Sequence, residues 1–174
     1  VSKAFSKLRV KNSVKINTGI SIKGNLLDVS WDVEGMKNEE VMEVLESYKK
    51  QKKYHRLRNG ELLNIYESGM DVLALMMEDM NLSKTQLKEG MAEIPVYRAL
   101  YLDTVMRENA NIIQAQRDAS FCSLIKDFEE IKNRQYDISD NVMAELRHYQ
   151  HEGFKWLNIL SDMNFGGILA DDMG

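Results

Sequence analysis

The residues best suited to chemistry lie towards the C-terminal end of the sequence. There Phe165-Gly166-Gly167-Ile168-Leu169-Ala170-Asp171-Asp172-Met173-Gly174 reads as a glycine turn, a short buried strand and a loop. A strand running into a glycine-bearing loop is the setting in which backbone N–H groups converge on phosphate, because no side chain obstructs them. No Gly-Lys-Ser/Thr follows, so the lysine and the magnesium-binding hydroxyl of such a loop are absent from the sequence. Just upstream, residues 144–157 (AELRHYQHEGFKWL) have the spacing of an amphipathic helix. Taken as plain helix core, Tyr149, Phe154 and Trp156 are buried aromatics while His148 and His151 face solvent. The two histidines stand three apart with no identifiable third ligand, which argues against a metal site. Cys122 adjoins an apolar stripe, and nothing in the sequence pairs it with a base. It reads as a small buried hydrophobe rather than a nucleophile.

The residue string carries more than its spacing. LRHYQHEGFKWL followed by GGILADDMG resembles the opening of the motor domain in Swi/Snf-family ATPases, which are superfamily-two helicase relatives. The matching positions are Leu146, Arg147, Tyr149, Gln150, Gly153, Trp156 and Leu157, then Gly166 through Gly174. The resemblance implies that Gln150 reads the adenine edge, with Arg147 beside it. It also implies that Asp171, Asp172, Met173 and Gly174 form the front half of the phosphate loop, Asp171 standing where the general pattern has its first glycine. A full-length parent would then use ATP and Mg2+ and act on double-stranded DNA. This chain, cut inside the first ATPase motif, would hold neither ligand tightly and contain no catalytic residue.

A looser similarity covers the upstream region. Tyr54-x-Arg56-Leu57-x-Asn59-Gly60-x-Leu62-Leu63, set before a helical part and then the motor motifs, resembles the bacterial Swi/Snf helicase-associated domain. That resemblance implies an accessory to a DNA-stimulated motor. The expected organisation is an accessory domain over residues 1–138 and the truncated start of an ATP-binding domain over residues 139–174, with the remainder of the motor as a partner.

The elements that must position these residues follow from periodicity. Residues 7–34 alternate polar and apolar positions, interrupted by Gly19, Gly24 and Asn25, and predict two or three antiparallel strands. Asn38 is the expected N-cap of a helix bearing Val41, Val44, Leu45 and Tyr48, which ends in the Lys49–Lys53 cluster. Asn59-Gly60 between apolar-alternating runs predicts a hairpin over residues 54–66. Met70, Leu73, Met77 and Met80 recur at helical spacing and read as core, Ser83 opens a turn with Thr85 and Gln86, and Pro95 separates an extended stretch from a helix bearing Leu100 and Val105. Residues 111–132 read as helical, with Phe121, Leu124, Ile125 and Phe128 on one face. The fold class is α+β: small antiparallel β elements with several helices, ending in the first helix and strand of a RecA-like motor.

Composition agrees with a folded domain. The chain has 174 residues, 44% hydrophobic and 29% charged, with ten glycines and one proline. Disordered and collagen-like classes are therefore excluded. No window approaches the roughly eighteen apolar residues of a membrane span, and the N-terminal stretch lacks a signal-peptide apolar block, so the reading is a cytoplasmic protein without a membrane partner. One cysteine excludes an internal disulfide. The net charge of −4 conceals an asymmetry: residues 1–60 hold 13 Lys or Arg against 7 Asp or Glu, and residues 61–174 hold 10 against 20. Lys7, Arg9, Lys11 and Lys15 all precede the first acid, Asp28, and are the candidate DNA contacts. The alternative is a protein-interaction or autoregulatory module without direct DNA contact.

Overall fold

The computed structural model describes residues 9–139, 142–143 and 145–170. Among the described residues, seven strands and six α-helices run in the order β1 (Val10–Lys11), β2 (Ile16–Lys23), β3 (Leu26–Val33), α1 (Asn38–Lys49), β4 (Tyr54–Arg56), β5 (Leu62–Asn64), α2 (Met70–Asp79), α3 (Lys84–Glu89), β6 (Met91–Pro95), α4 (Ala99–Glu108), β7 (Ile113–Arg117), α5 (Ala119–Asn133) and α6 (His148–Asp162), with a 3-10 turn at Val96–Arg98 leading into α4. The fold is α+β, as expected. The chain divides into two units, Val1–Phe121 and Cys122–Gly174. Among the described residues no helix is long and apolar enough to cross a membrane.

In the first unit, a four-stranded sheet has the order β6-β3-β2-β7 and a three-stranded sheet the order β1-β5-β4. Strands β2 and β3 form the expected antiparallel hairpin, with Ile16 opposite Val33 and Lys23 opposite Leu26. Their alternation puts Ile16, Ile20, Leu27, Val29, Trp31 and Val33 on one buried face, where Ala92, Ile94 and Ile113 of the neighbouring strands join them. Val41, Val44 and Leu45 of α1, Met70, Leu73, Met76 and Met77 of α2, and Leu102 and Met106 of α4 complete the core. Burial of each such side chain contributes about 1.5–3 kcal/mol, which is why the methionine stripe serves as core and not as an exposed groove.

Several sequence expectations need correction. Val10 and Lys11 are not part of the antiparallel β2–β3 system; they pair parallel to β5 in the small sheet, so residues 7–34 do not form one antiparallel set. Residues 113–117 are not helical. They form β7, parallel to β2 with Ile16 opposite Ile113 and Ile20 opposite Arg117, and only then does α5 begin. Asn38 is the first helical residue of α1 rather than its cap, and its side-chain amide instead donates to the Lys88 carbonyl at 3.0 Å. Cys122 is exposed, because Phe121, Ile125 and Phe128 set the buried stripe and the following position turns about 100° away from it.

Local chemistry fixes the joints. Ser83 caps α3 by accepting from the Gln86 N–H at 3.3 Å, and the Gln86 carboxamide accepts from the Ser83 N–H at 2.9 Å. Gly90 ends α3 at φ +72°, and a Cβ there would lie 2.7 Å from Asn38 Nδ2 and 3.0 Å from the Trp31 carbonyl, so only glycine fits. The Gly90 carbonyl accepts the Trp31 N–H at 2.9 Å, which delivers the chain into β6. The Tyr101 hydroxyl of α4 donates to Asp79 at the end of α2; burial, reinforced by that carboxylate, holds the phenol well above its usual range.

Asp118 is the joint between β7 and α5. One carboxylate oxygen accepts the Phe121 N–H at 2.7 Å and the other accepts the Ile22 N–H of β2 at 3.3 Å. Asp118→Ala is expected to lower stability by about 1–2 kcal/mol, with Asp118→Asn retaining part of the cap, measured as urea midpoints at constant slope.

Candidate functional site

Basic residues without an ion-pair partner among the described residues gather on the three-stranded sheet. β5 is its centre, flanked by β1 in parallel and β4 in antiparallel register. Val10, Leu62 and Arg56 form one cross-strand row; Lys11, Leu63 and His55 form the next. Leu63 is fully buried, so the second row turns towards the core and the first towards solvent. Adjacent strands lie about 4.8 Å apart, which puts β1 and β4 about 10 Å from each other. Arg9 and Lys11 therefore bracket one edge, and Lys52, Lys53 and Arg56 the other. The Arg9 carbonyl accepts the Leu62 N–H and the Lys53 carbonyl accepts the Ile65 N–H, both at 3.0 Å, which pins these backbones to the sheet. Exposed Tyr54 stands between the basic residues, with the Lys53 ammonium 5.6 Å from its ring centre.

The sequence-predicted positions separate. Arg9 and Lys11 lie on this sheet. Lys15 lies at the start of the other sheet, its carbonyl accepting the Glu34 N–H at 2.9 Å, and the structure does not bring it to the β1 edge. Lys7 lies outside the described residues. Arg56 was not among the candidates, and the Lys49–Lys53 cluster counted towards DNA contact only if it shared a surface with Arg9 and Lys11. The signal of Lys52, Lys53 and Arg56 was present in the basic run after α1, but only strand register shows that they share a sheet with Arg9 and Lys11.

One stripe of α1 holds the β4–β5 hairpin. Glu40, itself buried, accepts the Arg58 N–H at 2.6 Å; Glu43 pairs with the Arg58 guanidinium at 2.7 Å; the Ser47 hydroxyl meets His55 Nδ1 at 2.8 Å. The turn is at the expected dipeptide but is a three-residue loop, not a two-residue one. The Gly60 N–H donates to Leu57 O at 2.8 Å, the Leu57 N–H to Glu61 O at 2.9 Å, and Gly60 takes φ +90°.

The second unit contains the motor-like motif. Helix α6 begins at His148 after Arg147, so residues 145–147 of the helix expected over 144–157 are not helical, and Ala144 lies outside the described residues. Gln150 sits at its third position, and its carboxamide oxygen accepts the Arg147 N–H at 2.8 Å. That oxygen is thus satisfied within the helix start, while the Gln150 NH2 has no partner among the described residues. His148, Tyr149 and His151 are exposed, and no His/Cys/Asp/Glu cluster among the described residues has metal-ligand geometry. The 165–170 segment folds back on α6: the Phe165 N–H donates to Leu160 O at 2.8 Å, and Phe165 packs on Phe128 of α5 at 5.6 Å between ring centres. Arg134 and Tyr136 both reach the Asp162 carboxylate, at 2.5 and 2.9 Å. The expected buried strand is absent among the described residues. Residues 166–170 have no strand partner among the described residues, and Ile168 is 91% exposed. Asp171, Asp172, Met173 and Gly174 lie outside the described residues. Arg147 and Gln150 are both exposed on one side of a helix, so the described residues alone do not enclose a nucleotide.

Comparison with known proteins adds identity to geometry. Residues 1–139 match the family model for the bacterial SNF2 helicase-associated region. The chain is 46% identical over 52 residues to an uncharacterised ATP-dependent helicase of Mycoplasma pneumoniae, a match covering 29% of the chain and 5% of that protein. A second uncharacterised ATP-dependent helicase, from Mycoplasma genitalium, is 54% identical over 37 residues, 21% of the chain and 4% of the relative. The human TATA-binding protein-associated factor 172 is 37% identical over 67 residues, 38% of the chain and 4% of that protein. The chain therefore spans only a small part of the length of these relatives. No solved structure matches.

The hairpin clamp separates a buried from an exposed interaction. Glu40→Ala leaves the Arg58 N–H without its acceptor and is expected to cost about 1–3 kcal/mol in chemical denaturation. Glu43→Ala removes an ion pair whose side chains are 50% and 55% exposed and is expected to cost no more than about 1 kcal/mol.

Proposed function

We propose, on the premise that this chain belongs to the bacterial SNF2 helicase-associated family, that it is the DNA-contacting accessory region and the motor's first segment in a longer ATP-dependent DNA translocase of the cytoplasm. The observation that carries the DNA reading is the set of cations without an ion pair among the described residues at the two edges of the small sheet: exposed Arg9 and half-buried Lys11 at β1, and exposed Lys52, Lys53 and Arg56 at β4. Three other cations of the same unit are spent internally, Lys23 on Asp28, Arg58 on Glu43 and Arg117 on Asp103, while Lys15, Lys37, Lys84, Lys88 and Arg98, which have no ion pair among the described residues, lie outside this sheet. Cations left free on short, rigidly held strands suit phosphates spaced along a duplex, and such contacts position a protein without reading sequence.

Duplex binding by the chain is expected to fall with added salt, since each phosphate contact releases counterions, with a log–log slope of about −0.9 per contact. The triple variant Arg9→Glu, Lys11→Glu, Arg56→Glu is expected to weaken binding at least about tenfold and flatten that slope, whereas Lys15→Glu changes it little. A labelled-duplex titration at two salt concentrations measures both. Absence of binding at low salt, or equal loss in Lys15→Glu, would overturn the assignment.

For the parent, the proposal assigns ATP with Mg2+ as its fuel and Gln150 as an adenine contact through its free NH2. The support is the motif resemblance together with the ATP-dependent helicase relatives. The chain alone is expected to release no phosphate from ATP. In the parent, Gln150→Ala is expected to cost about 1–3 kcal/mol in steady-state ATP use, with Gln135→Ala as the near-neutral control. A Gln150→Ala parent equal to the wild type would remove this helix from the nucleotide site.

A further inference from the structure

The open face of the four-stranded sheet is a trough of about 840 Å3, within the size range of ligand-binding clefts and lined wholly by the first unit. Its floor is made of small residues at the sheet centre. Gly19 on β2 lies opposite Ser30 on β3 and Gln116 on β7, and Ser21 lies opposite Asp28. Side chains at Glu89, Met91 and Glu93 form one wall, with Gln116 and Asp118 opposite.

The charge of this trough is the reverse of the small sheet. Asp28, Glu89, Glu93 and Asp118 supply carboxylates, against Lys23, which is tied to Asp28, and Arg117, which is held 3.1 Å from Asp103. Asp28 and Glu93 are direct cross-strand partners on β3 and β6, an arrangement that is destabilising for like charges. Lys23 answers only one oxygen of this pair. Among the described residues, buried Asp28 Oδ1 has no hydrogen-bond partner, and exposed Glu89 and Glu93 have no ion pair. A second cation placed between Asp28 and Glu93 would satisfy both observations.

We propose that this trough docks an extended lysine- or arginine-bearing segment of a protein partner. An extended segment turns alternate side chains to the same side, so cations at every second position would point down towards the sheet. One reaches the Asp28–Glu93 pair and the next lies beside Glu89, while the backbone runs over Gly19, Ser21 and Ser30, where no side chain stands tall. Nucleic acid is disfavoured on this face by the same carboxylates.

The test is titration of the chain with a labelled Lys-Ser-Lys-Ser-Lys peptide at low ionic strength, followed by backbone amide shifts. The expected result is saturable binding with shifts at Gly19, Ser21, Ser30 and Gln116. Glu89→Gln with Glu93→Gln should weaken it at least about tenfold, and Glu67→Gln with Glu108→Gln, which removes the same charge elsewhere, should leave it intact. All four positions are exposed, so the fold tolerates the changes. No binding, equal loss in both double variants, or shifts confined to the strand edges would overturn the proposal. So would spermidine competing with equal affinity, since the trough would then be a site for small polycations.

Discussion

The structure depends on β2. It is the one strand of the larger sheet with a long antiparallel partner on one side and a parallel partner on the other, and its inward residues Ile16, Thr18 and Ile20 lie at the centre of the core. Antiparallel pairing with β3 is local and needs only Gly24-Asn25 to turn the chain. Parallel pairing with β7 requires the whole intervening chain to return, and the helices that carry the core residues packed with the buried face, α1, α2 and α4, lie within that return. Both partners obey one rule: a residue shift would send every apolar side chain of β2 into solvent, so burial of one face sets the register of all four strands.

That rule explains what could be read from sequence. The β2–β3 and β4–β5 hairpins are local, and their period-two alternation and turn residues are visible in a short window. The methionine stripe of α2, the Ser83 cap and the extended stretch before Pro95 are likewise local signals. β7 escaped because its five residues, IQAQR, alternate weakly, and its strand character comes from pairing with residues almost a hundred positions away. The same cause misassigned β1: residues 10 and 11 were read as strand, but their parallel partner β5 lies about fifty positions away. Cys122 was misplaced by a single helical step, since the buried stripe is centred on Phe121 and Ile125.

The candidate sites divide in the same way. Arg9 and Lys11 were legible as basic positions ahead of any acid, but Lys52, Lys53 and Arg56 join them only through the register of the small sheet. Gln150 is a candidate on its motif resemblance, and the structure shows that its carboxamide oxygen is engaged with the Arg147 N–H. A group that braces its own helix start presents its free NH2 at a defined place, so the local bond orients the residue. The strand expected after Gly167 did not form because strand identity is relational: Ile168 and Leu169 have the right side chains and no ladder among the described residues to join.

Charge distribution in the first unit follows from how each sheet is covered. The three-stranded sheet is narrow, and α1 commits three residues, Glu40, Glu43 and Ser47, to holding its hairpin; the acids nearest that hairpin are consumed at Arg58 and the Arg58 N–H. Glu61, the hairpin's own acid, accepts from the Asn59 carboxamide, and none of these carboxylates forms an ion pair with Arg9, Lys11, Lys52, Lys53 or Arg56 among the described residues. On the four-stranded sheet the imbalance runs the other way, because Asp28 and Glu93 face each other with a single lysine between them. A net charge of −4 thus resolves into two sheet surfaces of opposite sign, each rigid because its strands are fixed by backbone ladders. The two proposed partners, a polyanion and a polycation, would then meet separate places on one unit, where local charge of one sign attracts the one and repels the other.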